Sequence, residues 1–177
     1  MCFLPLAACC QNPDIPSELA IRPARRGDAE AIAGIHVRSW QAAYRGMLDD
    51  ELLDSLSVSE RARSWRGWLA GTVSSTVVAE SGTQLVGFCT TVSGRGAAGC
   101  EIAALYVEPE LVRGGIGSAL LREALAAARA NGNAAVALWV LEANEPARAF
   151  YERFGFALDG ERGEHSGQPV VGMRLEL

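Results

Sequence analysis

The chain is short of basic side chains: 16 Lys and Arg stand against 21 Asp and Glu, for a net charge of −5 and a pI near 5.1. That balance argues against a nucleic-acid binder, which needs a basic surface. It is compatible with a cationic partner, such as an amine. Histidine is scarce, with only His36 and His165, and the five cysteines show no C-x-x-C spacing, so no metal site assembles and no metal is expected. Cys2, Cys9 and Cys10 sit in an N-terminal tail, and Cys89 and Cys100 in expected strands. An odd set of this kind fits the reduced thiols of a cytoplasmic protein. No apolar run approaches the ~18 residues of a membrane helix, so no membrane partner is expected. Leu6-Ala7-Ala8-Cys9 looks like a lipoprotein cleavage box, but it has neither a charged leader nor a long apolar stretch. Residues 1–18, interrupted by Pro5, Pro13 and Pro16, are expected to be a disordered extension, with one domain over residues 19–177. Two phosphate-binding motifs are also missing. No Gly-Lys-Ser/Thr exists for a P-loop, and Leu120 stands where a dinucleotide fingerprint needs its third glycine.

What is present is an alternation of helical and strand patterns. Leu19–Arg22 reads as a short strand, with Asp28 as the N-cap of a helix running to Arg45. Short helices follow over 49–56 and 60–69. Strands are expected over 73–80 and 84–92, joined by Ser81-Gly82-Thr83, then a Gly/Ala loop over 93–99. Cys100–Val107 is the next strand. A helix from Ser118 ends at Asn131-Gly132, a strand spans 134–141, and Asn144 caps a helix with Pro146 in its first turn. Two strands close the chain around Ser166-Gly167-Gln168-Pro169. The pattern predicts an α/β (α+β) domain with a mixed sheet.

The segment ALYVEPELVRGGIGSALL, residues 104–121, carries the strongest chemical signal. A strand runs through a polar turn into Gly114, Gly115 and Gly117, and a helix starts at once. Glycines leave backbone N–H groups unobstructed, and a helix N-terminus adds unpaired N–H groups and about half a positive charge. Such a turn holds an anion, usually a phosphate, through the backbone alone.

Three segments together resemble the GNAT superfamily of acetyl-CoA-dependent N-acetyltransferases. They are the glycine turn, ALWVLEANEPARAFYERFGF at 137–156, and IRPARRGDAEAIAGIHVRSWQAAYRG at 21–46. The second is the most specific: Asn144, then Tyr151 seven residues later, then Gly155-Phe156 at a helix end. The family's turn reads Q/R-x-x-G-x-G/A; Gly115 and Gly117 fill the last two fixed positions, while Val112 replaces the Gln/Arg and Arg113 follows one residue late.

The resemblance implies the GNAT fold, a mostly antiparallel sheet of about six to seven strands flanked by helices. It implies acetyl-CoA as cosubstrate and a small-molecule or peptide amine as acceptor. By the same resemblance, the backbone of Val112, Arg113, Gly114, Gly115, Ile116, Gly117 and Ser118 holds the pyrophosphate. The strand edge Leu105, Tyr106 and Val107 pairs with the pantetheine arm. Asn144 and Tyr151 lie on one helix face about 10 Å apart, so Asn144 is expected to hold a pantetheine amide while Tyr151 acts as general acid at the sulfur. From ordinary values near 10 for a tyrosine and 8.5 for a thiol, a favourable transfer to the leaving thiolate is expected.

Glu101, fourteen residues before Gly115, matches the general-base offset of histone-acetylating members. Its neighbour Cys100 points to the opposite strand face, so an acetyl-cysteine route is disfavoured. Trp40, Tyr44 and Arg45 are the candidate acceptor-binding residues, with His36 one turn earlier. Arg148 is a candidate for a cofactor phosphate, against the default of a solvated arginine. A protein N-terminal or lysyl acetyltransferase and a catalytically idle acyl-CoA-binding regulator are the alternatives. A homodimer is common in the superfamily.

Overall fold

A computed structural model describes residues 19–93 and 99–177. The expected N-terminal extension, and most of the 93–99 loop, lie outside the described residues. The chain runs β1 (Leu19–Pro23), α1 (Ala29–Ala43), α2 (Asp50–Asp54), α3 (Val58–Ala70), β2 (Ser74–Ser81), β3 (Gln84–Ser93), β4 (Cys100–Val107), α4 (Ile116–Ala130), β5 (Ala135–Leu141), α5 (Glu145–Glu152), β6 (Ala157–His165) and β7 (Gln168–Glu176). Seven strands form one sheet in the order β1-β2-β3-β4-β5-β7-β6. All described pairings are antiparallel except β4 with β5.

Helix ends follow their caps. Asp49 accepts from the N–H groups of Glu51 and Leu52 (2.8 and 3.1 Å), and Ser57 from Glu60 (3.4 Å), so α3 begins two residues earlier than expected. Asp28 stands before α1, but its carboxylate does not cap that helix. It accepts from the Arg25 N–H (2.7 Å) and pairs with Arg22 (2.8 Å), closing the preceding 3-10 turn instead. The Asp28 backbone is helical (φ −80°, ψ −8°) and lacks the extended conformation that turns an N-cap side chain toward the helix N–H groups. Helix α4 starts at Ile116, not Ser118, because Gly115 takes a left-handed φ of 83° at the N-cap.

The sheet separates two cores. On one face, α4 lays Ile116, Leu120, Leu121, Ala124, Leu125 and Ala128 against Cys89, Cys100 and Ile102, with Leu105 and Val107 at the margin. On the other, α1 and α3 cover Val78 and Phe88, with Ala104 and Tyr106 packed alongside. The α4 residues recur at the spacing of a helical apolar stripe. Gly87 permits the close approach of α4: a Cβ there would stand 3.0 Å from Leu120 Cδ1 and 3.0 Å from the Tyr106 carbonyl oxygen.

The change of face along β4 has a definite cause. Thr90 pairs with Ala104 but Thr91 with Ile102, so Ala103 is an extra residue, a β-bulge. Before it, Cys100 and Ile102 face α4. After it, Leu105 and Val107 do, while Ala104 and Tyr106 face α1. Glu101, between Cys100 and Ile102, is therefore on the α1 face with Tyr106.

Candidate active site

Strands β4 and β5 pair only at Glu101–Ala137 and Ile102–Leu138. Beyond that point β4 keeps its β3 partners, Leu105 to Cys89, Tyr106 to Phe88 and Val107 to Gly87, but has no partner on the β5 side among the described residues. The Glu108 N–H donates to the Val86 carbonyl on β3 (2.9 Å). In an antiparallel strand alternate N–H groups point the same way. Tyr106 thus points its N–H toward β3, and Leu105 and Val107 point theirs into the gap. The gap is a wedge with its apex at Glu101 and a half-buried strand edge for one wall. An extended amide-bearing ligand can add to such an edge as a strand.

The glycine turn closes the wedge's far end. Arg113 (φ 74°) and Gly115 (φ 83°) are both left-handed, and Gly114 between them is not. The Val112 N–H is directed at the Pro109 carbonyl (3.5 Å) and the Gly114 N–H at that of Leu111 (3.2 Å). The first helical bond of α4 runs from Ala119 to Gly115 (3.0 Å), which leaves Ile116, Gly117 and Ser118 heading the helix with their N–H groups outward. Gly117 lies beside α5: its missing Cβ would sit 3.7 Å from Phe150 Cζ and 3.7 Å from Val107 Cγ2. The Val112 side chain is exposed and plays no part in the turn's core.

Asn144 caps α5 through Oδ1, which accepts the Ala147 N–H (3.1 Å). Two turns on, Tyr151 packs with Leu105, Val107 and Phe150 on the α4 side of the sheet. Burial raises the Tyr151 phenol above its ordinary value, with smaller contributions from the Cys89 thiol and the Tyr44 phenol. The expectation of a favourable proton transfer fails on the ordinary values alone. A phenol near 10 gives a proton to a thiolate near 8.5 uphill, by about 2 kcal/mol, and burial of the phenol widens the difference. An acid role for Tyr151 requires a cleft that desolvates the thiolate too, raising the thiol by the same physics.

The α1 wall of the wedge is aromatic. Trp40 Nε1 donates to the Tyr106 hydroxyl (2.9 Å), and the Tyr44 hydroxyl pairs with it (3.2 Å). Burial pushes both phenols up, Tyr106 strongly. His36 stacks on Tyr106 (ring centres 5.0 Å apart) and accepts the Trp65 indole N–H at Nδ1 (3.2 Å). Burial, with the nearby Arg61, lowers it to about 3. A neutral ring that accepts at Nδ1 carries its proton on Nε2. Of the expected acceptor residues, Trp40 and Tyr44 thus belong to one hydroxyl-centred cluster. Arg45 is exposed and held by Asp50 (3.2 Å) and Asp54 (2.7 Å) across the α1–α2 turn. Burial raises the thiols of Cys100, on the α4 face away from Glu101, and of Cys89, the latter to about 12, so both stay protonated.

One contributor escaped sequence reasoning. Ser39 Oγ donates to the Val107 carbonyl (2.9 Å) and ties α1 to the open edge of β4. Its signal was a serine on the apolar stripe of α1, at helical spacing from Ile32 and Ile35. At the carboxyl end of β5 a cavity of about 310 Å3 is lined by Met47, Leu141, Glu142, Ala143, Gln168 and Pro169.

A strand edge opened by splayed parallel strands, beside a glycine-headed helix, agrees with a family comparison. The acetyltransferase (GNAT) family model matches residues 35–156, more than half of the chain. The chain belongs to the GNAT acetyltransferase family. A protein of Mycobacterium tuberculosis described as a probable N-acetyltransferase is 34% identical over 90% of this chain and 91% of its own length. The PaiA N-acetyltransferase of Thermoplasma acidophilum, solved with coenzyme A, superposes with a TM-score of 0.75 at 23% identity, covering 90% of this chain and 99% of that one. The YncA protein of Salmonella typhimurium, solved with acetyl-CoA, gives a TM-score of 0.68 at 21% identity over 90% and 94%. These two likenesses establish the GNAT fold, and family membership makes the chain an acetyl-CoA-dependent acetyltransferase. Among the described residues no helix is long and apolar enough to cross a membrane.

Proposed function

We propose that this GNAT enzyme moves the acetyl group of acetyl-CoA directly to a primary amine of a small molecule or peptide. The observation that carries the reading is the open edge of β4, whose outward N–H groups lie between the head of α4 and Tyr151. The bound cosubstrate supplies an activated thioester carbonyl and a thiolate leaving group. The N–H groups at the head of α4 hold phosphate, and those of Leu105 and Val107 hold the amide arm. One of the latter also stabilises the charge that develops on the carbonyl oxygen. Asn144 supports the arm with the amide nitrogen that its cap leaves over.

Acid and base reach the wedge from opposite faces of the sheet. Tyr151, on the α4 face, keeps its proton until the thiolate needs it. Glu101, at the wedge's apex on the α1 face, accepts the amine's proton directly or through water. The aromatic cluster of Trp40, Tyr44 and Tyr106 walls the side from which the acceptor enters, and the cavity beside Glu142 continues it. An acidic protein favours approach of a cationic amine, and a cytoplasmic setting suits both thiols and cosubstrate.

The test is calorimetry with acetyl-CoA, followed by release of free thiol across a panel of small amines, N-terminal peptides and lysyl peptides. Turnover on small amines supports the reading. Turnover confined to peptides or proteins moves the enzyme to the N-terminal or lysyl class, and binding without turnover on any acceptor makes it a regulator. The chain contains no lysine, so lysyl label must lie on the acceptor.

A further inference from the structure

Among the described residues, several arginines have carboxylate partners: Arg22 with Asp28, Arg38 with Glu108, Arg45 with Asp54, Arg162 with Glu142. Arg148 does not follow this pattern. The residue is only partly exposed, and its Nε is buried with no hydrogen-bond partner. Two carboxylates stand at helical reach on α5, Glu145 at i−3 and Glu152 at i+4, yet no ion pair joins either to Arg148 among the described residues. The side chain passes over the local partners that a surface arginine ordinarily takes.

Its place on α5 says what it awaits. Arg148 is one turn after Asn144 and one turn before Tyr151, so the three form a single stripe. Its neighbour Ala147 packs in the cluster that holds Leu105, Val107 and Ile116. Phe150 touches the head of α4 at Gly117. The stripe thus runs along the wedge toward the turn of Arg113 and Gly115. Burying an unpaired donor on a cation is unfavourable unless a ligand supplies the acceptor. The edge formed by Nε and one Nη is the planar fork that matches two phosphate oxygens. A chain of net charge −5 also needs local cations to hold a polyanionic ligand.

We propose that Arg148 grips a phosphate of acetyl-CoA, sharing the anion's charge with the backbone cradle at the head of α4. This rests on the acetyltransferase reading above. The experiment measures equilibrium binding to the wild type, Arg148→Gln and Arg148→Lys. The ligands are CoA, dephospho-CoA (no 3′-phosphate) and S-acetylpantetheine (no phosphate), the last followed by NMR titration. Arg148→Gln is expected to weaken CoA about 10- to 100-fold, or about 1.4–2.8 kcal/mol, and to leave acetylpantetheine within about twofold. Arg148→Lys recovers part of the loss, and the deficit narrows at high salt. A loss with CoA alone assigns the 3′-phosphate; a loss with dephospho-CoA as well assigns the pyrophosphate; both support the proposal. The ligand-free Tm of Arg148→Gln stays level or rises, because a buried unpaired donor is removed; a purely structural arginine would lower it. Equal CoA affinity in wild type and Arg148→Gln overturns the proposal, as does an equal loss with acetylpantetheine. Failure of the wild type itself to bind CoA removes the acetyltransferase reading, and this one with it.

Discussion

His36 makes the stability of this protein depend on pH in a calculable way. Its ring is enclosed by Trp40, Trp65, Phe88 and Tyr106, with Trp65 Nε1 donating to Nδ1, and burial lowers it to about 3 from an ordinary 6.5. The sign follows from proton counting. Between pH 6.5 and 3 the unfolded chain binds a proton at this site and the folded protein does not, so stability falls as the solution is acidified. The contribution is complete above 6.5 and exhausted below about 3. Each pH unit within that window is worth about 1.4 kcal/mol, so going from pH 7 to pH 5 costs about 2 kcal/mol. That is a large fraction of the roughly 5–15 kcal/mol by which domains are usually stable.

Carboxylates contribute below this range. Asp28, lowered first by its bond to Arg22, and Glu80, lowered by the same arginine, lose their stabilisation only as they protonate in more acidic solution. The comparison that isolates His36 is the substitution His36→Gln, which keeps an oxygen to accept the Trp65 N–H but cannot titrate. Urea unfolding at pH 7, 6.5, 6, 5.5 and 5, extrapolated linearly to water, is the assay. The wild type should lose about 2 kcal/mol between pH 7 and 5, and His36→Gln should be nearly flat over the same range. A flat wild type, or two parallel curves, would refute the reasoning.

Tyr151→Phe should lower kcat by about 10²- to 10⁴-fold and change acetyl-CoA affinity by no more than about twofold; unchanged turnover across the pH profile would remove the phenol from proton transfer. Glu101→Gln should lower kcat about tenfold or more and move the acid limb of the pH–rate profile, so full activity from pH 6 to 9 would sink the base assignment. Gly87→Ala should destabilise by about 1–3 kcal/mol, read by denaturant midpoint, because the new methyl meets Leu120 and the fixed carbonyl of Tyr106; a neutral result would mean that α4 can shift without cost.

The sequence carried the order of elements well, because periodicity and caps are local signals. Asn144 as the cap of α5 and the end of α4 at Asn131-Gly132 are each set by residues within one turn of one another. The site's backbone was less readable. Three glycines marked the turn, yet one of the two left-handed positions falls on Arg113 and none on Gly114. An arginine at positive φ is uncommon and leaves no compositional mark. Asp28 has the right residue type for a helix cap, but the choice between the helix and Arg22 depends on a strand that only the fold brings near. Likewise Trp40 and Tyr44 read only as a helix face and Ser39 not at all, because their partners Val107 and Tyr106 lie more than sixty residues away in sequence.

The β-bulge at Ala103 is where local reading ran out, and the proposed chemistry depends on it. Strict alternation along β4 would put Glu101 on the face of Leu105 and Val107, and Tyr106 on the face of Cys100. One extra residue reverses this, since the side-chain period of a strand is two. With the bulge, Glu101 shares the α1 face with Tyr106, and Leu105 and Val107 share the α4 face with Tyr151. In the proposed mechanism the two titratable groups then approach the open strand edge from opposite sides, one to take a proton from the incoming amine and the other to give one to the departing thiolate. The residue responsible is an exposed alanine with no glycine or proline to advertise it. The bulge also coincides with the point at which β5 leaves β4. A locally disrupted ladder and an increased twist are what a bulge brings to a strand, so the same extra residue accounts for both the opening of the wedge and the arrangement of the groups around it.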